Sequence, residues 1–247
     1  MSNTATIIWK SVGVTVVAAL LVTAVVFGVR MRPMEMPCRA LTYVIEDKKE
    51  RMYVTEGELT QLLKAENSYP VGRTLDRGVI HRIEKTIAHH PMVRTAQCYV
   101  TPRGEVRVRL TQRVPLLLVM MPGDTYFVDT DRKIMPVRAS VRDSVLQVTG
   151  AVGVQMASGV LGDFAEWLQD NRYWHQRIHH VQVKNPQMVY VYLNGAMTNR
   201  AVLGPMNRYA QKLEKLRTFL ENCPPEAMAD KHYTELDLRF RGQVIGR

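Results

Sequence analysis

The pattern of hydrophobic and polar positions divides the chain into one long apolar run and two stretches of amphipathic elements. Residues 11–29 carry no charge and are dominated by Val, Ala and Leu. At about 1.5 Å per residue they form a helix of roughly 28 Å, close to the hydrocarbon thickness of a bilayer. The run is longer than the apolar part of a signal peptide and is followed by a poor cleavage site. We therefore predict a cytoplasmic tail at 1–10, a transmembrane helix at 11–29 and a stalk at 30–37.

After the stalk, the pattern predicts a compact α+β domain at 38–112. Thr55 and Glu58 form a capping box in front of one helix, and a second helix must end near Pro91. The strand after residue 104 alternates cleanly between apolar and charged positions. The predicted order is strand 40–46, helix from Thr55, helix 75–87, strand 93–100 and a return strand over 105–110. This order predicts a three-stranded sheet with two helices covering one face.

The rest of the chain, 113–247, is predicted to form a β-rich, mostly antiparallel domain with two helices. One helix carries the apolar stripe of residues 160–168, and Gly204-Pro205 is predicted to open the other. Lys212, Lys215 and Arg217 lie mostly away from the buried stripe of that second helix. The predicted strands are 116–121, 125–129, 133–137, 145–148, 177–183, 188–193 and a last strand at 232–240.

Along this last strand, alternation predicts which side chains share a face. Thr234, Leu236, Leu238 and Phe240 are expected on the core face, and Glu235, Asp237, Arg239 and Arg241 on the outer face. A final strand has an unpaired edge unless something covers it, so it is a candidate site for a partner strand.

The net charge limits the classes of partner that the chain is expected to bind. The chain carries a net charge of +10, which suits anionic lipid headgroups, an acidic protein or a nucleic acid. No aromatic platform or recognition motif accompanies the arginines, so no nucleic-acid partner is predicted. Around the apolar run, only Lys10 precedes it, while Arg30, Arg32 and Arg39 follow. Read alone, the positive-inside rule would place the folded part in the cytoplasm.

Motifs for catalysis or metal binding are missing from the sequence. There is no nucleophile elbow, phosphate-binding loop, dinucleotide fingerprint or HExxH motif. Asp129 and Asp131 lack the further ligands of a calcium loop, so a turn is predicted there. The cysteines form no CxxC motif, and Cys98 is predicted as a buried small hydrophobe, which disfavours a disulfide with Cys38. We predict no enzyme activity, no cofactor and no metal site.

Four segments carry a resemblance to a known family. Residues 86–100 (TIAHHPMVRTAQCYV) resemble part of a POTRA module, and residues 107–115 (RVRLTQRVP) resemble the strand that leads out of it. Residues 127–136 (FVDTDRKIMP) resemble the hairpin that opens the next domain, and residues 236–240 (LDLRF) resemble its late strand. In this order after a single apolar run, they resemble the FtsQ/DivIB family of bacterial cell-division proteins.

The resemblance implies a single-pass type II protein of the cell inner membrane, with POTRA and β domains in the periplasm and enrichment at the division septum. This orientation is opposite to the one that the local charge count favours. The implied function is a non-catalytic divisome scaffold that binds FtsB and FtsL and helps to regulate septal peptidoglycan synthesis by FtsW and FtsI. The alternatives are a POTRA-type periplasmic chaperone or assembly factor and a membrane-anchored cell-wall hydrolase.

The resemblance also implies a binding site, because the family's partner adds a strand at the end of the β domain. The corresponding residues here are Leu238, Arg239, Phe240, Arg241 and Gly242. A second partner-facing arginine of the family falls near residues 186–187, where Lys184 is the nearest cation. The hairpin glycine of the family pattern is replaced by Arg132.

Overall fold

The computed structural model describes residues 19–23, 36–48, 52–138, 145–194, 200–223 and 233–247. Residues 19–23 are helical. Within these ranges, no helix is both long and apolar enough to cross a bilayer. The predicted tail, most of the predicted span at 11–29 and the stalk up to residue 35 lie outside the described residues.

The first module contains the predicted three-stranded sheet and two helices. Its central strand β5 pairs in parallel with β2 and antiparallel with β4. Two very short strands, β1 and β3, pair beside this sheet, and the sequence analysis missed them. The elements are β1 (Met36–Pro37), β2 (Ala40–Ile45), α1 (Glu56–Ala65), β3 (Thr74–Leu75), α2 (Arg77–Ala88), β4 (Val93–Val100) and β5 (Glu105–Gln112).

Local sequence signals fix both helices. The Glu58 amide donates to Thr55 Oγ1 at 3.2 Å, and the Thr55 amide donates to Glu58 Oε2 at 3.0 Å, which confirms the capping box. Asp76 caps α2 by accepting from the Val79 amide at 2.7 Å. The helix ends at Ala88, just before the proline at 91.

The second part of the chain forms a mixed sheet of nine strands among the described residues, in the order β14-β13-β12-β11-β10-β9-β6-β7-β8. Three neighbouring pairs are parallel, namely β6 with β9, β9 with β10 and β12 with β13, and the other pairs are antiparallel. The strands are β6 (Pro115–Met121), β7 (Asp124–Asp129), β8 (Ile134–Pro136), β9 (Leu146–Gly150), β10 (Ile178–Asn185), β11 (Met188–Leu193), β12 (Arg200–Gly204), β13 (Leu236–Asp237) and β14 (Ile245–Gly246).

Helices cover one face of this sheet. They are α3 (Gly162–Asp170), α4 (Arg172–His175) and α5 (Tyr209–Asn222), and α3 follows a helical turn at Val154–Met156 and a π-helical turn at Ala157–Leu161. The prediction that Pro205 opens a helix is wrong. Residues 200–204 form β12, and α5 begins only after Arg208, whose positive φ of 51° ends the preceding turn.

The opposite face of the sheet is covered at one end by the first module. Leu118, Phe127 and Met135 belong to the same buried cluster as Leu59 and Ile83 of the helices α1 and α2. Their neighbours on the strands point the other way, into the cluster beneath α3 and α5. Strand β6 is therefore apolar on both faces, and the two domains share one core at their junction.

Polar contacts reinforce this junction. The buried carboxylate of Asp129 accepts from Arg113 Nη1 at 2.7 Å and from the Lys133 amide at 2.6 Å. This confirms the predicted turn after Asp129. Arg138 Nη1 donates to Glu58 Oε1 at 2.8 Å, which links the β domain to the first turn of α1.

The strand directions determine where the candidate site lies. Five strands run in the same direction, namely β6, β9, β10, β12 and β13. Their carboxyl ends therefore lie together along one border of the sheet, which runs across the strands. Strand β6 begins at Pro115, directly after the first module. The carboxyl ends of these strands therefore lie opposite the point at which the chain enters the β domain from that module.

Candidate functional site

The segment 238–242 follows β13 at the border of the sheet where the parallel strands end. Leu238 is buried and its amide donates to the Val202 carbonyl at 2.9 Å, so it continues the pairing with β12. After Leu238 the chain turns, and Gly242 adopts a left-handed φ of 69°. The prediction of a continuous strand is therefore wrong, because only Leu236–Asp237 is strand within the described part of 232–240. The side chain of Phe240 is also not in the core, since it is 45% exposed.

Asp237 overturns the predicted outer face. Its side chain is buried rather than exposed, and it accepts from Arg239 Nε at 2.9 Å and Nη2 at 2.6 Å. Arg247 Nη2 lies 3.1 Å from the same carboxylate. The hydrogen bond from Arg239 is the main cause that holds the pKa of Asp237 below its usual value. Arg239 therefore anchors the segment to the sheet and is not a free cation.

Gly204 allows this anchoring. It ends β12 with a left-handed φ of 69°, and a Cβ atom at this position would lie 2.7 Å from Arg239 Cγ. The apolar stem of Arg239 thus crosses directly over the backbone of β12. Both the backbone conformation and the close approach require glycine at position 204.

The edge of β13 is not open, because β14 covers it. Leu236 is paired with Gly246, and Asp237 with Ile245. The Arg247 amide donates to the Glu235 carbonyl at 3.0 Å, and the Glu235 amide donates back at 3.2 Å. Because backbone groups point alternately to the two sides of an antiparallel strand, Gly246 directs its N–H and C=O away from β13. Among the described residues, β14 is the edge strand at this end of the sheet.

A groove of about 580 Å³ separates the segment 238–242 from α5. We call it the basic groove, since its lining includes five cationic side chains and no acidic residue among the described residues. The lining residues are Pro205, Asn207, Arg208, Gln211, Lys212, Lys215, Leu238, Arg239, Phe240, Arg241 and Gly242. Every residue of the predicted site except Lys184 lies on its wall.

Two lysines of α5 connect this helix by hydrogen bonds to the backbone around the basic groove. Lys212 Nζ donates to the carbonyls of Leu203 and Pro205 at 2.9 and 2.6 Å, and to Asn207 Oδ1 at 3.1 Å. Lys215 Nζ donates to the carbonyls of Leu238 and Phe240. Burial lowers the pKa of both ammonium groups. Sequence reasoning missed both roles, because it placed these lysines only by their distance from the apolar stripe.

Lys184 lies near the carboxyl end of β10, at the same border of the sheet as the segment 238–242, but outside the basic groove. It is exposed on β10, and β11 and β12 lie between β10 and β13. At about 4.8 Å per strand, this places Lys184 roughly 14 Å from the segment along the sheet.

Comparison with known families agrees with this architecture. Residues 36–111 match the POTRA-like domain, and residues 114–247 match the family described as FtsQ/DivIB, C-terminal related. The chain belongs to the FtsQ/DivIB family. No curated protein shows a significant match to it. A role in cell division, as part of the divisome, follows from the family.

One departure from the family pattern has a structural counterpart. Arg132, which replaces the hairpin glycine, adopts a positive φ of 64°, a conformation that glycine tolerates best. Its guanidinium binds Asp163 at 2.9 Å and Glu166 at 2.6 Å. The substitution thus ties the hairpin of β7 and β8 to α3. No group of three or more potential metal ligands occurs in the described ranges.

Proposed function

We propose that this protein is a non-catalytic, membrane-anchored divisome scaffold that binds FtsB and FtsL and helps to regulate septal peptidoglycan synthesis by FtsW and FtsI. It would be a single-pass protein of the inner membrane, with its two domains in the periplasm and enriched at the septum. The observation that carries the proposal is the edge of β14, which pairs with no further strand among the described residues and lies beside the basic groove, at the end of the sheet farthest from the first module.

Strand addition is the binding mode that this edge supports best. An edge strand offers unpaired N–H and C=O groups, and an extended peptide can pair with them. Strand β14 offers those of Gly246, because Ile245 and Arg247 are turned towards β13. The partner strand would therefore lie on β14, and the side chains of residues 238–242 would contact its flank.

The cations at this edge have different roles in the proposed complex. Arg239 is committed to Asp237, whereas Arg241 is exposed and has no ion-pair partner among the described residues. Arg241 is therefore available to an acidic residue of the partner. Lys184, near the carboxyl end of β10 and three strands away from β13, would meet a longer partner that extends beyond the strand.

A hydrolase is less well supported by the same groove. Glycoside hydrolysis uses a pair of carboxylates that flank the scissile bond. The lining of the basic groove contains no carboxylate in the described part of the chain. An assay of the purified protein on peptidoglycan is expected to show no turnover, and measurable turnover would contradict the scaffold proposal.

Amide exchange tests the binding mode directly. A soluble FtsB–FtsL complex added in excess should slow hydrogen exchange at the Gly246 amide, because a partner strand would accept from it. The Arg247 amide is the internal control, since it is already bonded to Glu235 and its exchange should change little. Unchanged exchange at Gly246 under saturating partner would overturn strand addition at β14.

A further inference from the structure

We propose that the first module contacts the bilayer that anchors the protein, and that it binds anionic phospholipid headgroups at the end where the chain enters the module. Four exposed arginines form this contact, which we call the arginine surface: Arg39, Arg73, Arg77 and Arg103. The inference rests on the membrane anchor of the proposed function, because that anchor brings a bilayer close to the module.

Main-chain hydrogen bonds assemble the arginine surface from separate segments of the chain. The Cys38 amide donates to the Arg73 carbonyl at 2.8 Å, and the Gly72 amide donates to the Cys38 carbonyl at 2.9 Å. The Arg39 amide donates to the carbonyl of Gly104, in the turn between β4 and β5, at 2.9 Å. The entering segment thus holds the loop before β3 and the turn before β5 next to each other.

The positive charge at this end of the module is largely uncompensated. Residues 36–39, 70–77 and 101–104 contain four arginines and one aspartate, which gives a net charge of +3. The aspartate, Asp76, accepts from the Val79 amide as the cap of α2. Within the described residues, none of the four arginines forms an ion pair with a carboxylate. A basic cluster of this kind next to a membrane is attracted to anionic headgroups.

The path of the chain places the arginine surface on the side of the module nearest to the predicted anchor. The predicted span ends at residue 29 and β1 begins at Met36, so six residues separate them. Fully extended, this length of chain reaches about 25 Å. The β domain follows the other end of the module, because β5 runs roughly 23 Å from Glu105 to Gln112 before the chain enters that domain.

Exposed apolar side chains beside the arginines favour a lipid surface over an acidic protein. Tyr99 and Val100, the last residues of β4, are exposed. Val100 also belongs to the apolar part of the lining of a pocket of about 340 Å³, together with Met36, Leu75 and Ile80. The headgroup region of a bilayer combines charge with apolar carbon, and tyrosine is enriched at that depth.

Amide exchange of the full-length protein in lipid nanodiscs tests this contact without a partner protein. One preparation contains phosphatidylcholine alone, and the other contains phosphatidylcholine mixed with phosphatidylglycerol. The reporter is the Arg103 amide, which donates no hydrogen bond in the described part of the chain. A negative membrane surface depletes hydroxide, the catalyst of amide exchange, within a Debye length, so phosphatidylglycerol should slow exchange at Arg103 about threefold. Exchange at the Gly246 amide, on the β domain, should not change.

The double variant Arg39→Glu/Arg77→Glu should lose this slowing. Glutamate is favoured in the first turn of a helix, so the substitution at the first residue of α2 should not unfold it. The matched control is Arg172→Glu/Arg241→Glu, which makes the same change in net charge at exposed positions of the β domain. Arg172 is likewise the first residue of a helix. The control should keep the slowing at Arg103.

Three results would each overturn the inference: equal exchange at Arg103 in the two lipids, slowing that survives the Arg39→Glu/Arg77→Glu change, or equal slowing at Gly246. Salt of about 1 M, at which the Debye length falls to about 3 Å, should abolish the difference between the lipids. A protein that inserts into neither disc would contradict the proposed anchor, and the inference with it. Binding of FtsB and FtsL is measured separately, by exchange at Gly246 after the partner is added.

Discussion

The two ends of the nine-stranded sheet are built in opposite ways. At the β6–β8 end both faces are buried, and the apolar residues of β6 pack on helices on one side and on the first module on the other. At the β12–β14 end the strands are short, and charged side chains cover the last turn. Burial on both faces gives stability, whereas a short, charged strand at the edge of the described sheet fits the strand addition that we propose.

The largest effect is expected at the buried end. Phe127→Ala should lower the free energy of unfolding by about 3–5 kcal/mol, because it leaves a cavity in the core that the two domains share. Chemical denaturation followed by circular dichroism would measure it. Ile134→Ala, on the exposed side of the same hairpin, should cost under about 1 kcal/mol. Similar costs for both variants would contradict the shared core.

The second-largest effect is expected for the buried carboxylate at the β12–β14 end of the sheet. Asp237→Asn should cost about 2–3 kcal/mol, because Arg239 and Arg247 lose a buried charged acceptor. The pKa of Asp237 is lowered in the folded protein, so its contribution is complete above the ordinary carboxyl pKa of about 4 and is lost as the pH falls through the lowered value. The stability of the variant should therefore fall less steeply in acid. The control Asp124→Asn, which replaces an exposed carboxylate of β7, should change the stability by under about 1 kcal/mol.

A smaller effect concerns the hairpin at the buried end. Arg132→Ala and Arg132→Gly both remove the contacts to Asp163 and Glu166. Only glycine also removes the cost of the positive φ, so the glycine variant should be more stable than the alanine variant by about 1 kcal/mol. Denaturation midpoints of the two variants would show the difference. Equal midpoints would mean that the backbone at this position is not strained.

The smallest effect is expected for an exposed ion pair between the two domains. Arg94 binds Asp131 through two hydrogen bonds of 2.7 Å, yet both side chains remain substantially exposed. Arg94→Ala should therefore change stability by only about 0–1 kcal/mol. A cost as large as that of Phe127→Ala would show that ion pairs, and not the shared core, hold the two domains together.

Sequence signals predicted the first module well and the β13–β14 end of the large sheet poorly. The capping box at Thr55 and the alternation of β5 are local and strong, so they specify their elements directly. Strand β14 has two residues and no periodicity, so nothing in the sequence marked it. Without β14, alternation placed Asp237 in solvent, whereas the added strand and two arginines bury it.

The basic groove could not be predicted for a related reason. Helical periodicity locates the buried stripe of α5, but not the point that a long lysine stem reaches. Lys212 bonds to a main-chain carbonyl of β12 nine residues away, and Lys215 bonds to one of the segment after β13, 23 residues away. Such contacts depend on the packing of the helix against the sheet, which a single sequence does not show.

The shared core also governs how the chain can be made. Leu118, Phe127 and Met135 complete the interior of the first module, although each follows its last strand, which ends at Gln112. A chain that emerges from its amino-terminal end therefore cannot finish this module until Met135 has been added. Until then the part of the shared cluster that Leu118, Phe127 and Met135 cover stays exposed, and a protein cut short at residue 112 would be prone to aggregate or to be degraded.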